Sequence, residues 1–92
     1  MRIQTSYFAQ IRQAAGADGA ALELNDGATL AQALRAAAER HGDAFRKMLF
    51  DDSGRLRPSM ILLVNGVPAA GGLETVLTNG DAVSLFSPVA GG

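Results

Sequence analysis

TLAQALRAAAERHG, residues Thr29–Gly42, decides the fold class, because it holds a complete helix signal. Thr29 followed by Gln32 forms a capping box, Leu30, Ala33, Leu34, Ala37 and Ala38 recur at helical spacing, and Gly42 supplies a left-handed stop. The spacing predicts a helix over 30–41. On its N-terminal side, Ile3, Thr5 and Tyr7 alternate with Arg2, Gln4 and Ser6, which reads as a half-buried strand running to about Phe8. After a turn-like stretch over 16–19, residues 20–24 place Leu22 and Leu24 on one face and end at Asn25-Asp26-Gly27, as the second strand of a hairpin. On the C-terminal side, Asp43 reads as the cap of a second helical segment through Phe50, with Phe45, Met48 and Leu49 as its apolar face. Asp51-Asp52-Ser53-Gly54 then turns the chain, and Leu56 sits in a short edge strand. Met60 to Val64 reads as a central strand buried on both faces, closed by the tight-turn pair Asn65-Gly66. Leu73 to Leu77 is too short to classify, and beyond the turn Asn79-Gly80-Asp81 the alternation resumes over 82–87 as a last strand. Strands before and after one dominant helix imply an α+β domain of two layers, a mixed sheet with the helix across one face.

The 92 residues suit one small domain, and a hydrophobic share of 48% is enough for a core. Eight Lys plus Arg against nine Asp plus Glu give a net charge of -1, without the basic excess that binding a phosphate backbone demands, so nucleic acid is not the expected partner. Zero cysteines exclude disulfides, thiolate nucleophiles and cysteine-held metals, and a single histidine excludes two-His metal motifs. The expectation is a chain with no bound metal or cofactor of its own. His41, after Arg40 in the last helical turn, reads as a solvated side chain favoured by the negative end of the helix dipole. Asp51-Asp52 lacks calcium-loop spacing and reads as a surface turn. No phosphate-binding glycine loop occurs, and the only lysine is Lys47. The longest strongly apolar run, Met60 to Val64, is far short of the roughly 20 residues that cross a bilayer, so no membrane partner is expected. The first ten residues carry no signal-peptide stretch, and the expected location is cytoplasmic.

The end of the chain is its unusual feature. Ser87-Pro88-Val89-Ala90 leads into Gly91-Gly92, and with 11 glycines in the chain two terminal ones arise by chance in roughly 1% of cases. Pro88 cannot donate to a ladder and biases Ser87 toward extended geometry, so residues 88–92 are expected to leave the sheet as an extended tail. Glycines without Cβ let a partner close around the backbone, and the terminal carboxylate becomes the candidate reactive group. Alternation places Phe8 and Phe86 on the outward faces of the first and last strands. Were those strands neighbours, the two rings would form an apolar patch at the root of the tail, a partner surface with little electrostatic steering.

The start YFAQIRQAAG, the stretch LLVNG and the end TNGDAVSLFSPVAGG resemble the MoaD/ThiS family of ubiquitin-like sulfur carriers, nearest its molybdopterin-synthase small-subunit branch. The resemblance covers nearly the whole chain and implies a β-grasp fold. Residues 43–58 are longer than in the shortest members and look more like the cysteine-biosynthetic carriers and the small archaeal modifiers. It implies that Gly92 is adenylated by a ubiquitin-activating-type adenylyltransferase using ATP and magnesium, and is then converted to a thiocarboxylate that donates sulfur. The carrier thus supplies the cargo atom and no catalytic side chain. Carried over by position, Gly91 and Gly92 match the diglycine, Pro88, Val89 and Ala90 lead into it, and Phe8 and Phe86 match interface aromatics. An acceptor such as a molybdopterin synthase large subunit then takes the tail. Carriers of other pathways, and a modifier joined through Gly92 to target lysines, stay open.

Overall fold

The computed structural model describes residues 1–87, and among them lie five strands, three α-helices and one 3₁₀ turn: β1 (Arg2–Phe8), α1 (Gln10–Ala15), β2 (Gly19–Glu23), α2 (Leu30–His41), α3 (Asp43–Leu49), β3 (Ile61–Val64), β4 (Val67–Pro68), the 3₁₀ turn (Gly72–Glu74) and β5 (Ala82–Phe86). The strand order is β2-β1-β5-β3-β4. β1 and β5 run parallel in the middle, with β2 antiparallel to β1 and β3 antiparallel to β5. This is the two-layer mixed sheet expected from the sequence, and the β-grasp arrangement implied by the resemblance.

α2 forms where its signal lies. Thr29 Oγ1 accepts from the Gln32 N–H at 3.3 Å, and Gln32 Oε1 accepts from the Thr29 N–H at 2.8 Å, so two orphan donors of the first turn are satisfied reciprocally. Its buried face is Leu30, Ala33, Leu34, Ala37 and Ala38, and the alanines let the helix approach the sheet closely. Gly42, at φ 92° and ψ -170°, ends α2 and begins α3 at once. That conformation is open essentially to glycine alone, and it differs from the simple left-handed stop. Gly42, not Asp43, therefore holds the N-cap position of α3; Asp43 lies inside the first turn, where it binds Arg46 at 2.7 Å.

Two further expectations are corrected. The run 60–64 is not the central strand; β5 is, and β3 lies one place from the edge. Nor is β3 buried on both faces, since Ile61 is 58% exposed. The helices cover one face of the sheet only, so an unbroken apolar run here reflects an open apolar face. Asn65-Gly66 does close the β3–β4 hairpin, with φ 52° and 84°, the positive pair a type I′ turn requires.

The core gathers Ile3 and Tyr7 from β1, Ile11 from α1, Leu22 from β2, Leu34 from α2, Phe45 and Leu49 from α3, and Val83 and Leu85 from β5. Leu34 is fully buried, so Leu34→Ala removes transfer energy and leaves a cavity. The expected loss is about 3 kcal/mol in a urea melt. A loss below about 0.5 kcal/mol, the usual scale of surface substitutions, would contradict this packing.

Candidate functional site

The face of the sheet opposite the helices carries the candidate site. Phe8 pairs with Phe86 across the parallel β1–β5 ladder, and Phe86 pairs with Ile61 across the antiparallel β5–β3 ladder. Three side chains from three strands thus form one row. The two rings stack with centroids 4.4 Å apart and planes within 9° of parallel. Phe8 is 40% exposed and Phe86 is half-buried. The outward placement read from alternation is therefore what the structure has, and the two strands are neighbours. The row next to it is Ser6, Ser84 and Leu63. The charged pair Arg2–Glu23, at 2.8 Å, lies at the opposite end of β1. The face is thus apolar at one end and polar at the other, and the apolar end is where β5 finishes. A contiguous exposed apolar patch with polar surroundings is the signature of a partner surface.

Ser87, the last described residue, is buried. Its Oγ accepts from the Ile11 N–H at 2.8 Å and lies 3.4 Å from the Phe8 carbonyl, to which it donates. Ala9, the N-cap residue of α1, has φ 62° and no side-chain oxygen to offer the first turn. Ser87 takes over that role from 76 residues away, locking the end of β5 against the Phe8–Ile11 corner. Sequence reading missed both α1 and this cap. Ile11, Ala14 and Ala15 do stand at helical spacing before Gly16, which has the left-handed conformation of a C-cap. Pro88, Val89, Ala90, Gly91 and Gly92 lie outside the described residues.

A second polar arrangement lies under the helices. Thr5 and Tyr7 are buried, with hydroxyl oxygens 2.8 Å apart, and the Tyr7 hydroxyl is 2.8 Å from His41 Nε2. His41 also packs on Tyr7 and Phe45, with ring centroids 5.0 Å away in each case. The expectation of a solvated histidine is therefore overturned. Its ring closes the space between α2 and α3, and the phenol hydroxyl supplies the partner that burial requires. Desolvation lowers the His41 pKa, the adjacent Arg40 charge lowers it further, and a hydrogen bond with the Ala15 backbone works in the opposite direction. Desolvation likewise raises the pKa of Tyr7, against the hydrogen bond from Thr5 and the Arg40 charge.

Because the folded chain resists protonating His41, the unfolded chain takes up that proton first. The share of stability from neutral His41 is present above the ordinary value of 6.5 and is lost as pH falls through and below it. Asp43, Asp51 and Asp81 have pKa values held below 3.8, chiefly by hydrogen bonds from Arg46, Ser53 and Thr78 respectively, so their share is lost only at lower pH. Urea melts of the protein are expected to show stability falling as the pH drops below about 6.5, and His41→Gln to flatten that slope. An unchanged slope in the variant would contradict the assignment.

Comparisons with known proteins agree with this fold. The profile of the ThiS family matches residues 5–92. Small archaeal modifier protein 3 of Haloferax volcanii is 36% identical over the whole of both chains. The crystal structure of small archaeal modifier protein 1 from the same organism superposes with a TM-score of 0.91 at 32% identity, covering 100% of each chain. A putative molybdopterin converting factor subunit 1 from Pyrococcus furiosus has a TM-score of 0.77 at 29% identity, over 97% of this chain and 99% of its own. With the family profile spanning residues 5–92 and a relative 36% identical over the whole of both chains, the chain belongs to the ThiS family of ubiquitin-like β-grasp proteins.

Proposed function

We propose that this chain is a sulfur carrier whose working group is the carboxylate of Gly92. A carboxylate is a poor electrophile until joined to AMP. A ubiquitin-activating-type partner using ATP and magnesium supplies that step, with the Gly92 oxygen displacing pyrophosphate from the α-phosphorus. Sulfide-level sulfur then attacks the acyl carbon, the C–O bond breaks, AMP departs and a thiocarboxylate remains. The observation that carries the reading is the Phe8–Phe86–Ile61 row, an apolar partner surface directly before residues 88–92. It suits two partners in succession, the adenylyltransferase and an acceptor enzyme. Pro88, Val89, Ala90 and Gly91 lead Gly92 into their active sites, with no Cβ on the last two residues to obstruct entry.

The acceptor we favour is a molybdopterin synthase large subunit, in line with the Pyrococcus relative. A second reading, a modifier conjugated through Gly92 to lysines, is favoured by the two Haloferax modifier proteins. The experiment that separates them gives the activated chain a sulfur donor, a molybdopterin synthase large subunit and its pterin precursor. Sulfur transfer to the pterin is the expected result. Lysine conjugates without transfer would favour the modifier.

A further inference from the structure

Among the described residues, two other than glycine have a positive φ, Ala9 and Asn65. Asn65 belongs to the β3–β4 turn, which requires it. Ala9 instead joins β1 to α1, and at φ 62° and ψ -137° it holds a conformation that favours glycine and costs free energy in a residue with a Cβ. Strain of this kind persists where the surroundings over-determine it, and it gathers at functional sites. The surroundings here include the hydroxyl of Ser87. It accepts from the Ile11 N–H at 2.8 Å and donates to the Phe8 carbonyl at 3.4 Å, so it spans Ala9 from both sides. A hydroxyl can do both, having one proton and two lone pairs. Ser87 and Ile11 are buried, so these bonds are shielded from water. Phe8, whose carbonyl is held, and Phe86, which precedes Ser87, are the stacked pair of the apolar row.

We propose that Ser87 is a positioning residue for the reaction at Gly92: its hydroxyl and the strained corner at Ala9 form a latch that fixes the heading with which the chain enters residues 88–92. The proposal rests on the reading that Gly92 is activated by a partner docked on the apolar row. The partner then holds Phe8 and Phe86, and the latch ties the next residue to that same corner. Five residues separate this root from the end of the chain, a span of at most about 17 Å. A turn of roughly 10° at the root moves the end of such a segment by about 3 Å, against a tolerance of about 1 Å for the reacting atoms. A fixed root therefore makes docking of the row and placement of the carboxylate one event, and the ordering is complete before the partner arrives. Ser87 touches neither ATP nor the reacting carboxylate in this account; it acts through the direction of the backbone.

The test measures kcat and KM for adenylation of the full chain by an enzyme of the ubiquitin-activating type with ATP and magnesium, at a temperature where circular dichroism shows every variant folded. Ser87→Ala is expected to lower kcat about 10-fold and to leave KM within about twofold, because the docking row is intact and only placement is lost. A second variant separates positioning from stability. Ala9→Gly added to Ser87→Ala removes the strain, so the melting temperature lost with the hydroxyl is expected to return, while kcat stays low because the latch is still missing. Recovery of kcat together with the melting temperature would overturn the proposal and leave Ser87 a helix cap alone. Unaltered kcat in Ser87→Ala would overturn it too, as would a rise in KM alone, which would put Ser87 in the docking surface. Absence of adenylation in the unaltered chain would overturn the Gly92 reading itself, and this proposal with it.

Discussion

A chain ending at Gly91 is expected to show no activation, while its melting curve overlays that of the full chain. On the carrier reading proposed above, the reacting carboxylate must meet the α-phosphorus of ATP inside a partner that holds the rest of the protein by a fixed surface. Removing one residue draws it back by up to about 3.3–3.6 Å. Misplacement of only about 1 Å costs roughly 100-fold in rate, so the deletion lies well beyond tolerance. Replacing Gly92 with a bulky residue gives the same result by a different cause, because a side chain enters a passage shaped for bare backbone. Stability hardly responds, since terminal residues commonly contribute few buried contacts. The check is adenylate formation by mass spectrometry beside a thermal melt. Equal activation of both chains would contradict the assignment of Gly92 as the reacting residue.

Phe86→Glu carries the second large effect. Phe86 stands between Phe8 and Ile61 in the central strand, on the face the helices do not cover. A carboxylate in the middle of an apolar contact surface is desolvated without a partner when the activating enzyme docks. The expected loss of binding is about 2 kcal/mol or more, roughly 30-fold in Kd. Half-buried and stacked on Phe8 at 4.4 Å, the ring also contributes to the fold, and its removal is expected to lower stability by about 1 kcal/mol. Calorimetric titration and a urea melt read the two effects separately. Wild-type affinity in the variant would remove this row from the interface, whereas a loss of stability several times larger would mean that Phe86 belongs to the core.

The parts of this fold that were legible in the sequence are those whose causes are local. Thr29 and Gln32 are three residues apart, and the helix they cap runs over 30–41 as its spacing requires. The inward set Ile3, Thr5 and Tyr7, with Phe8 left outside, follows from the pleat alone. Sheet order has no such signature. The parallel pairing of β1 with β5 joins residues at opposite ends of the chain, and it puts β5 in the middle while the unbroken run of β3 suggests a centre elsewhere.

The misread residues share that cause. His41 looks solvated from the charges beside it, but its environment is set by Tyr7, 34 residues earlier. α1 is too short to be a stable helix in isolation, and it exists because Ile11 enters the core and Ser87 caps its first turn from the far end of the sequence. Of the candidate site, the outward parity of Phe8 and Phe86 was legible. Their stacking, and the place of Ile61 beside them, had to come from the register.

The central claim is that Gly92 becomes an acyl carrier of sulfur. Its most direct test is the intact mass of the full chain after incubation with a ubiquitin-activating-type enzyme, ATP, magnesium and a sulfide donor. The account predicts a gain equal to the difference between one sulfur and one oxygen atom, located on the C-terminal peptide and dependent on ATP. An unaltered mass, under conditions where the same enzyme converts a carrier of its own, would contradict it.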